Sequence, residues 1–106
     1  MPSFEQIDVS GAKEMIDKKQ ATVVDIRDPQ SYSESRIQGA VNINDENIQD
    51  FLKNTDKNKP LICYCYRGFS SQGAAEYFSE QGFAKTYSLT GGFEEWRQQY
   101  PGDPSR

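Results

Sequence analysis

Residues 60–71 read Pro60-Leu61-Ile62-Cys63-Tyr64-Cys65-Tyr66-Arg67-Gly68-Phe69-Ser70-Ser71, and this stretch decides the fold. An apolar run opened by a proline ends in a cysteine, crosses a short loop containing glycine, and enters a segment that begins with two serines. The pattern predicts a strand over Leu61–Cys65, a loop, and a helix from about Ser71 to Gln81, stopped by Gly82 at the C′ position. A strand that feeds a helix through a tight loop is half of a βαβ unit. The thiol at the strand end then faces the N-terminus of the next helix, where a thiolate is stabilised.

The flanking sequence repeats the alternation. Gln6-Ile7-Asp8-Val9 reads as a first strand, and Ser10 offers an N-cap to a helix whose buried face is Ala12, Met15 and Ile16. Thr22-Val23-Val24-Asp25-Ile26 is β-branched and nearly continuous in apolarity, the pattern of a strand covered on both faces. Asp28-Pro29 fits an N-cap and first helical position, predicting a short helix over Gln30–Ser35. Gly39–Ile43 reads as a short strand, followed by a helix capped by Asn44 or Asp45 with Ile48, Phe51 and Leu52 inward. Asn54–Lys59 is a polar linker, Lys85–Leu89 a last strand, and Phe93, Trp96 and Tyr100 fall at helical spacing after Gly91-Gly92. The expectation is a single α/β domain over residues 1–106, with a core at about 4–100 and a flexible tail at 101–106. Its sheet has four or five short, mostly parallel strands flanked by helices on both faces. Sites in such sheets gather beyond the carboxyl ends of the strands, and Cys65 lies at such an end.

Composition narrows the chemistry. A chain of 106 residues with a net charge of -4 gives no global signal for nucleic acid or an anionic membrane. It contains no apolar run near spanning length, and residues 1–6 do not read as a signal peptide, so a cytoplasmic location is expected. Histidine is absent, which removes Cys-His catalysis and most zinc sites. Two cysteines make no disulfide framework. Cys63 and Cys65, at i and i+2 of a strand, stand about 6.5 Å apart with parallel side chains, at the edge of disulfide geometry.

A free thiol has a pKa of about 8.5, and the thiolate is the reactive form. Without histidine, its stabilisation must come from loop amides turned inward as a nest, from the helix dipole, and from Arg67 and the hydroxyls of Ser70 and Ser71. Gly68 permits a positive φ at the tight turn. Tyr66, Arg67, Gly68, Phe69, Ser70 and Ser71 are therefore the candidate anion cradle, and Cys65 the candidate nucleophile. The same cradle suits a persulfide, one atom further out. Cys63, alternating with Tyr64 inside the strand, reads as core.

At these residues the chain resembles a rhodanese domain, in particular the small single-domain thiosulfate sulfurtransferases. Three segments carry the resemblance, which runs from about Phe4 to Tyr100. They are Asp25–Tyr32 with Arg36–Ile43, then Cys65–Ser71, then Gly91–Trp96. The resemblance implies that Cys65 attacks the outer sulfur of a donor such as thiosulfate, releases sulfite and holds the sulfur as a persulfide. A thiophilic acceptor then removes it: cyanide in an assay, or a dithiol such as thioredoxin. It implies no cofactor and no metal. The chain departs from the common family pattern at Tyr66 and Ser70, where arginine or threonine is frequent, and at Arg36 and Arg67, where histidine occurs. Whether Arg67 or Arg36 meets the anionic donor stays open. Asp25 and Arg27 are expected to bond each other and tie the second strand to nearby loops, and Phe93 and Trp96 to be core.

Two other functions compete. Cysteine phosphatases and arsenate reductases of related fold place an arginine after five intervening residues, where its fork binds phosphoryl oxygens; that position here is Ser71. A persulfide relay or binding module without thiosulfate activity is the other alternative.

Overall fold

The structure, a computed structural model, describes residues 3–100; the tail expected at 101–106 lies outside them. Ten elements alternate strictly: β1 (Glu5–Ile7), α1 (Val9–Asp17), β2 (Thr22–Asp25), α2 (Pro29–Glu34), β3 (Val41–Asn42), α3 (Ile48–Asn54), β4 (Leu61–Tyr64), α4 (Ser70–Glu80), β5 (Thr86–Leu89) and α5 (Gly92–Gln99). The five strands form one sheet in the order β1-β5-β4-β2-β3, and every pairing is parallel. All carboxyl ends therefore point the same way, and the segments after β2, β4 and β5 converge at one edge of the sheet.

The period-2 alternation along β4 sorts the core into two layers. Ile62 and Tyr64 pack with Val9, Ala12, Val23, Leu89, Phe93 and Trp96 under α1 and α5. Leu61 and Cys63 pack with Val24, Leu52, Ala75, Phe78 and Phe83 under α3 and α4. Every residue of β4 is buried, as expected of a central parallel strand covered on both faces. Cys63 has no exposed surface and belongs to the second layer.

Local chemistry sets most element ends where the sequence indicates, with three shifts. Helix α1 is capped by Asp8 rather than Ser10: the Asp8 carboxylate accepts from the Gly11 N–H at 2.8 Å, which starts the helix two residues earlier. Asn44 does not cap α3 directly. Its side chain accepts from the N–H groups of Glu46 and Asn47 in a preceding turn, and α3 begins at Ile48 after Asn47. Helix α4 has no side-chain cap at all. Phe69 is its N-cap residue, and the two serines lie inside the first turn. For α2 the expected pair holds, with Asp28 at the N-cap accepting from Ser31 and Pro29 at the first helical position. No helix among the described residues is long and apolar enough to cross a membrane.

Candidate active site

Cys65 follows the last residue of β4 and is 5% exposed. Its Sγ accepts from the Gly68 N–H at 3.1 Å and the Ser71 N–H at 3.3 Å, and lies 3.5 Å from Ser71 Oγ. Burial pushes the thiol pKa up. The donors of Ser71, Gly68 and the Arg67 backbone outweigh that effect, so the pKa falls below the ordinary thiol value. Cys63, two residues back, goes the other way: burial, with a contribution from the neighbouring Cys65 charge, pushes its thiol well up. One thiol of the pair is thus prepared to ionise and the other is held neutral. Both cysteines are free.

The loop holds this shape because the β5–α5 turn clamps it from behind. Gly68 has φ +93°, and a Cβ there would stand 2.9 Å from Gly91 N and 3.0 Å from Leu89 O. Gly92 has φ +60°, and a Cβ there would stand 2.6 Å from Cys65 O and from Tyr66 C and O. Those close approaches let the first turn of α5 reach the loop: Phe93 N–H donates to Cys65 O at 2.8 Å, and Glu94 N–H to Tyr66 O at 2.9 Å. The loop carbonyls are thereby turned toward α5, and the loop N–H groups are left to face the sulfur. Gly91-Gly92-Phe93 acts on the site through this contact.

Ser71 has a second tie. Its Oγ lies 2.7 Å from Oγ of Ser88 in β5, and both side chains are fully buried. Ser88 pairs in register with Cys63, which directs it to the α4 side of the sheet. When Cys65 is a thiolate, the Ser71 hydroxyl donates to it, so the Ser88 hydroxyl must donate to Ser71. The result is a relay of two hydroxyls ending on sulfur. Ser88 is absent from the sequence-based candidates because no local pattern marks a strand serine as facing a helix turn seventeen residues away.

The remaining predicted residues divide. Tyr66 turns its hydroxyl away from the sulfur and bonds Asp28 and Ser31 at the start of α2. The Tyr66 bond, with those from Ser31, holds the Asp28 carboxyl down at about 2. Phe69 is 76% exposed, and with Ser70, Tyr66 and Arg67 it rims a mouth of about 210 Å3 over Cys65. No hydrogen bond joins the Ser70 hydroxyl to the sulfur among the described residues; the donors are those of Arg67, Gly68 and Ser71. Arg67 is exposed and also borders a neighbouring basin of about 460 Å3. Arg36 is engaged elsewhere, donating to Tyr32 O at 3.1 Å with its guanidinium over the Tyr32 ring.

Asp25 and Arg27 form the expected buried pair at 2.7 Å, and Arg27 also donates to the Ser35 carbonyl, tying β2 to the end of α2. Burial opposes the charge on Arg27, but Asp25 outweighs it and raises its pKa. Tyr64, adjacent in register to Asp25, donates to it at 2.8 Å and accepts from Ile37 N–H. Phe93 and Trp96 are 6% and 4% exposed, in keeping with core roles.

Comparison with known proteins agrees with this arrangement. The family described as Rhodanese-like domain matches residues 8–99. A protein of Shewanella oneidensis named thiosulfate sulfurtransferase GlpE is 44% identical over 98 residues, covering 92% of this chain and 97% of the relative. A protein of the same name from Pseudomonas paraeruginosa is 53% identical over 85 residues, covering 80% of this chain and 77% of the relative. Among solved structures, a Bacillus halodurans protein superposes with a TM-score of 0.83 at 30% identity, over 95% of this chain and 77% of its own. The parallel sheet, the clamped loop after its central strand and these matches together make the chain a member of the rhodanese-like domain family.

Proposed function

We infer that this chain is a thiosulfate sulfurtransferase working through a Cys65 persulfide. The observation that carries the reading is the set of inward donors on one strand-end sulfur, Gly68 N–H, Ser71 N–H and Ser71 Oγ. Relatives sharing 42–53% of aligned residues carry the same activity in their names. The Cys65 thiolate attacks the outer sulfur of thiosulfate. The new Sγ–S bond forms as the S–S bond of the donor breaks, and sulfite leaves with the electron pair. No proton has to move, so no general base is required. The outer sulfur of the persulfide carries the negative charge into the mouth rimmed by Arg67, where the loop amides and the dipole of α4 stabilise it.

In the second half an acceptor attacks the outer sulfur and returns the electron pair to Cys65. Cyanide leaves as thiocyanate. A dithiol such as reduced thioredoxin takes the sulfur on one thiol and closes its disulfide, releasing hydrosulfide. The exposed rings of Tyr66 and Phe69 beside the mouth suit a protein acceptor of that kind. The phosphatase reading lacks its arginine: the corresponding residue, Ser71, is buried and bonded to Ser88. The test is thiosulfate:cyanide transfer by the wild type beside Cys65→Ser and Cys63→Ser. Activity should vanish in the first variant and persist in the second; the reverse pattern would overturn the assignment.

A further inference from the structure

The segment after β2 and the loop after β4 run side by side. The two strands pair in register up to Asp25 and Tyr64, and Ile26 N–H continues the ladder to Tyr64 O at 3.0 Å. Asp28 in the first segment and Tyr66 in the second are joined through their side chains: the Tyr66 hydroxyl donates to Asp28 Oδ1 and also bonds Ser31 Oγ. The Asp28 end of this bond is a fixed post. Its Oδ2 accepts from Ser31 N–H at 3.0 Å as the cap of α2, and its Oδ1 accepts from Ser31 Oγ at 2.9 Å. One residue back, Arg27 O accepts from Asn42 Nδ2 at 2.9 Å, while the Arg27 guanidinium donates to Asp25 and to Ser35 O at the far end of α2. Capping α2 takes one carboxylate oxygen, so the bond to Tyr66 is additional to the cap.

The Tyr66 end lies next to the sulfur. The peptide between Tyr66 and Arg67 is one planar trans unit, whose C=O and N–H point opposite ways. Its C=O accepts from Glu94 N–H at 2.9 Å on the α5 side, and its N–H is among the backbone groups that lower the Cys65 pKa. One hydrogen bond, with its broad angular tolerance at a carbonyl oxygen, leaves such a unit room to rock. A second hold, on the Tyr66 side chain, removes that freedom. We propose that Asp28 is a positioning residue for sulfur transfer, holding the Tyr66 hydroxyl so that the Arg67 N–H stays aimed at Cys65 Sγ. The inference rests on the sulfur-transfer reading and deepens it. Few other charges bear on the sulfur. Arg67 is the charged residue at the rim of the mouth, and the first turn of α4 carries no acidic side chain. Glu94 of α5 is paired with Arg97, and Asp25 of β2 with Arg27. The Asp28 carboxyl, held down at about 2, stays ionised throughout the range in which Cys65 titrates, so the bond to Tyr66 persists across it.

The pH dependence of Cys65 alkylation in the full chain tests this without any sulfur donor, and Cys63, fully buried, stays silent in it. Tyr66→Phe removes the hydroxyl and keeps the ring. Asp28→Ser keeps a good cap for α2 but is too short to reach Tyr66, whereas Asp28→Asn keeps both cap and acceptor. The midpoint should rise by about 0.5–1 unit in Tyr66→Phe and in Asp28→Ser, the effect of one weakened hydrogen bond to sulfur. It should return toward the wild-type value in Asp28→Asn. The double variant Tyr66→Phe/Asp28→Ser should shift no further than either single one, since both remove the same bond. Thiosulfate:cyanide kcat/KM, read below the midpoint, should fall about threefold in the same two single variants, because the loss of thiolate outweighs the gain in its nucleophilicity. An unmoved midpoint in folded Tyr66→Phe or Asp28→Ser overturns the proposal, as do additive shifts in the double variant or no recovery in Asp28→Asn. A loss of stability to urea with no change of midpoint would make the bond purely structural and overturn it too. Absence of cyanide turnover in the wild type would count instead against the sulfur-transfer reading, and the alkylation profiles would still decide the role of Asp28.

Discussion

Replacing Gly92 with alanine should disable the site without touching any group that meets substrate. The new Cβ would lie 2.6 Å from three backbone atoms of Cys65 and Tyr66. Ordinary contacts involving carbon lie nearer 3.5 Å, so the start of α5 must retreat by roughly 0.9 Å. That displacement stretches the Phe93 N–H to Cys65 O and Glu94 N–H to Tyr66 O bonds, now 2.8 and 2.9 Å, past the limit of hydrogen bonding. Two bonds at about 1 kcal/mol each, plus about 1–2 kcal/mol for an alanine at φ +60°, give a loss of about 3–4 kcal/mol. In a domain of this size that lowers Tm by more than about 10 °C. Released from α5, the loop carbonyls are free to turn back toward the sulfur, so the Cys65 pKa should climb toward the ordinary thiol value. The assays are urea unfolding and the pH profile of Cys65 alkylation. Gly73→Ala is the control: it lies inside α4 with nothing within 4 Å of its Cβ position, and should stabilise by about 0.5–1 kcal/mol. Unchanged stability and an unchanged alkylation profile in Gly92→Ala would refute the clamp.

Other perturbations separate the remaining parts. Ser88→Ala frees the Ser71 hydroxyl, and the loss of one hydrogen bond of about 1 kcal/mol predicts a rise of about 0.5–1 unit in the alkylation midpoint of Cys65; a profile matching wild type would remove Ser88 from the relay. Asp25→Ala leaves Arg27 charged and buried, and urea unfolding should report a loss of about 3–5 kcal/mol; a loss under 1 kcal/mol would contradict the buried pair. In the wild type, the lowered pKa of Cys65 keeps thiolate present below the usual thiol range. The first-half rate should therefore fall as pH drops through the folded pKa and level off above it, with a midpoint below that of a free thiol in stopped-flow measurements. A midpoint at or above about 8.5 would contradict stabilisation by the loop.

The layers and the strand-end thiol were legible in the sequence because they rest on short-range patterns. Leu61–Cys65 and Thr22–Ile26 read as nearly continuous apolar runs of strand length, Asp28-Pro29 is a local capping pair, and Cys65 closes its run, although the observed strands stop one residue earlier, at Tyr64 and Asp25. The misplaced caps have one cause: Ser10 and Asn44 are good caps, but Asp8 and the Asn44–Asn47 turn satisfy the same N–H groups differently. The two serines of the loop raised a similar ambiguity. Ser71 lies opposite Ser88 and the sulfur, which no residue-by-residue preference encodes. Gly92 was visible as a turn glycine, while its role as the contact surface for Cys65 and Tyr66 depends on β5 lying beside β4. The bond from Tyr66 to Asp28 spans 38 positions and likewise emerges only from the packed fold.

The central claim is that Cys65 carries sulfur as a persulfide, and intact-mass spectrometry after brief exposure to thiosulfate tests it most directly. Wild type and Cys63→Ser should each gain the mass of one sulfur atom, lose it on adding cyanide, and yield an equal amount of thiocyanate. Cys65→Ser should gain nothing. A sulfur adduct that survives in Cys65→Ser, or that disappears in folded Cys63→Ser, would contradict it.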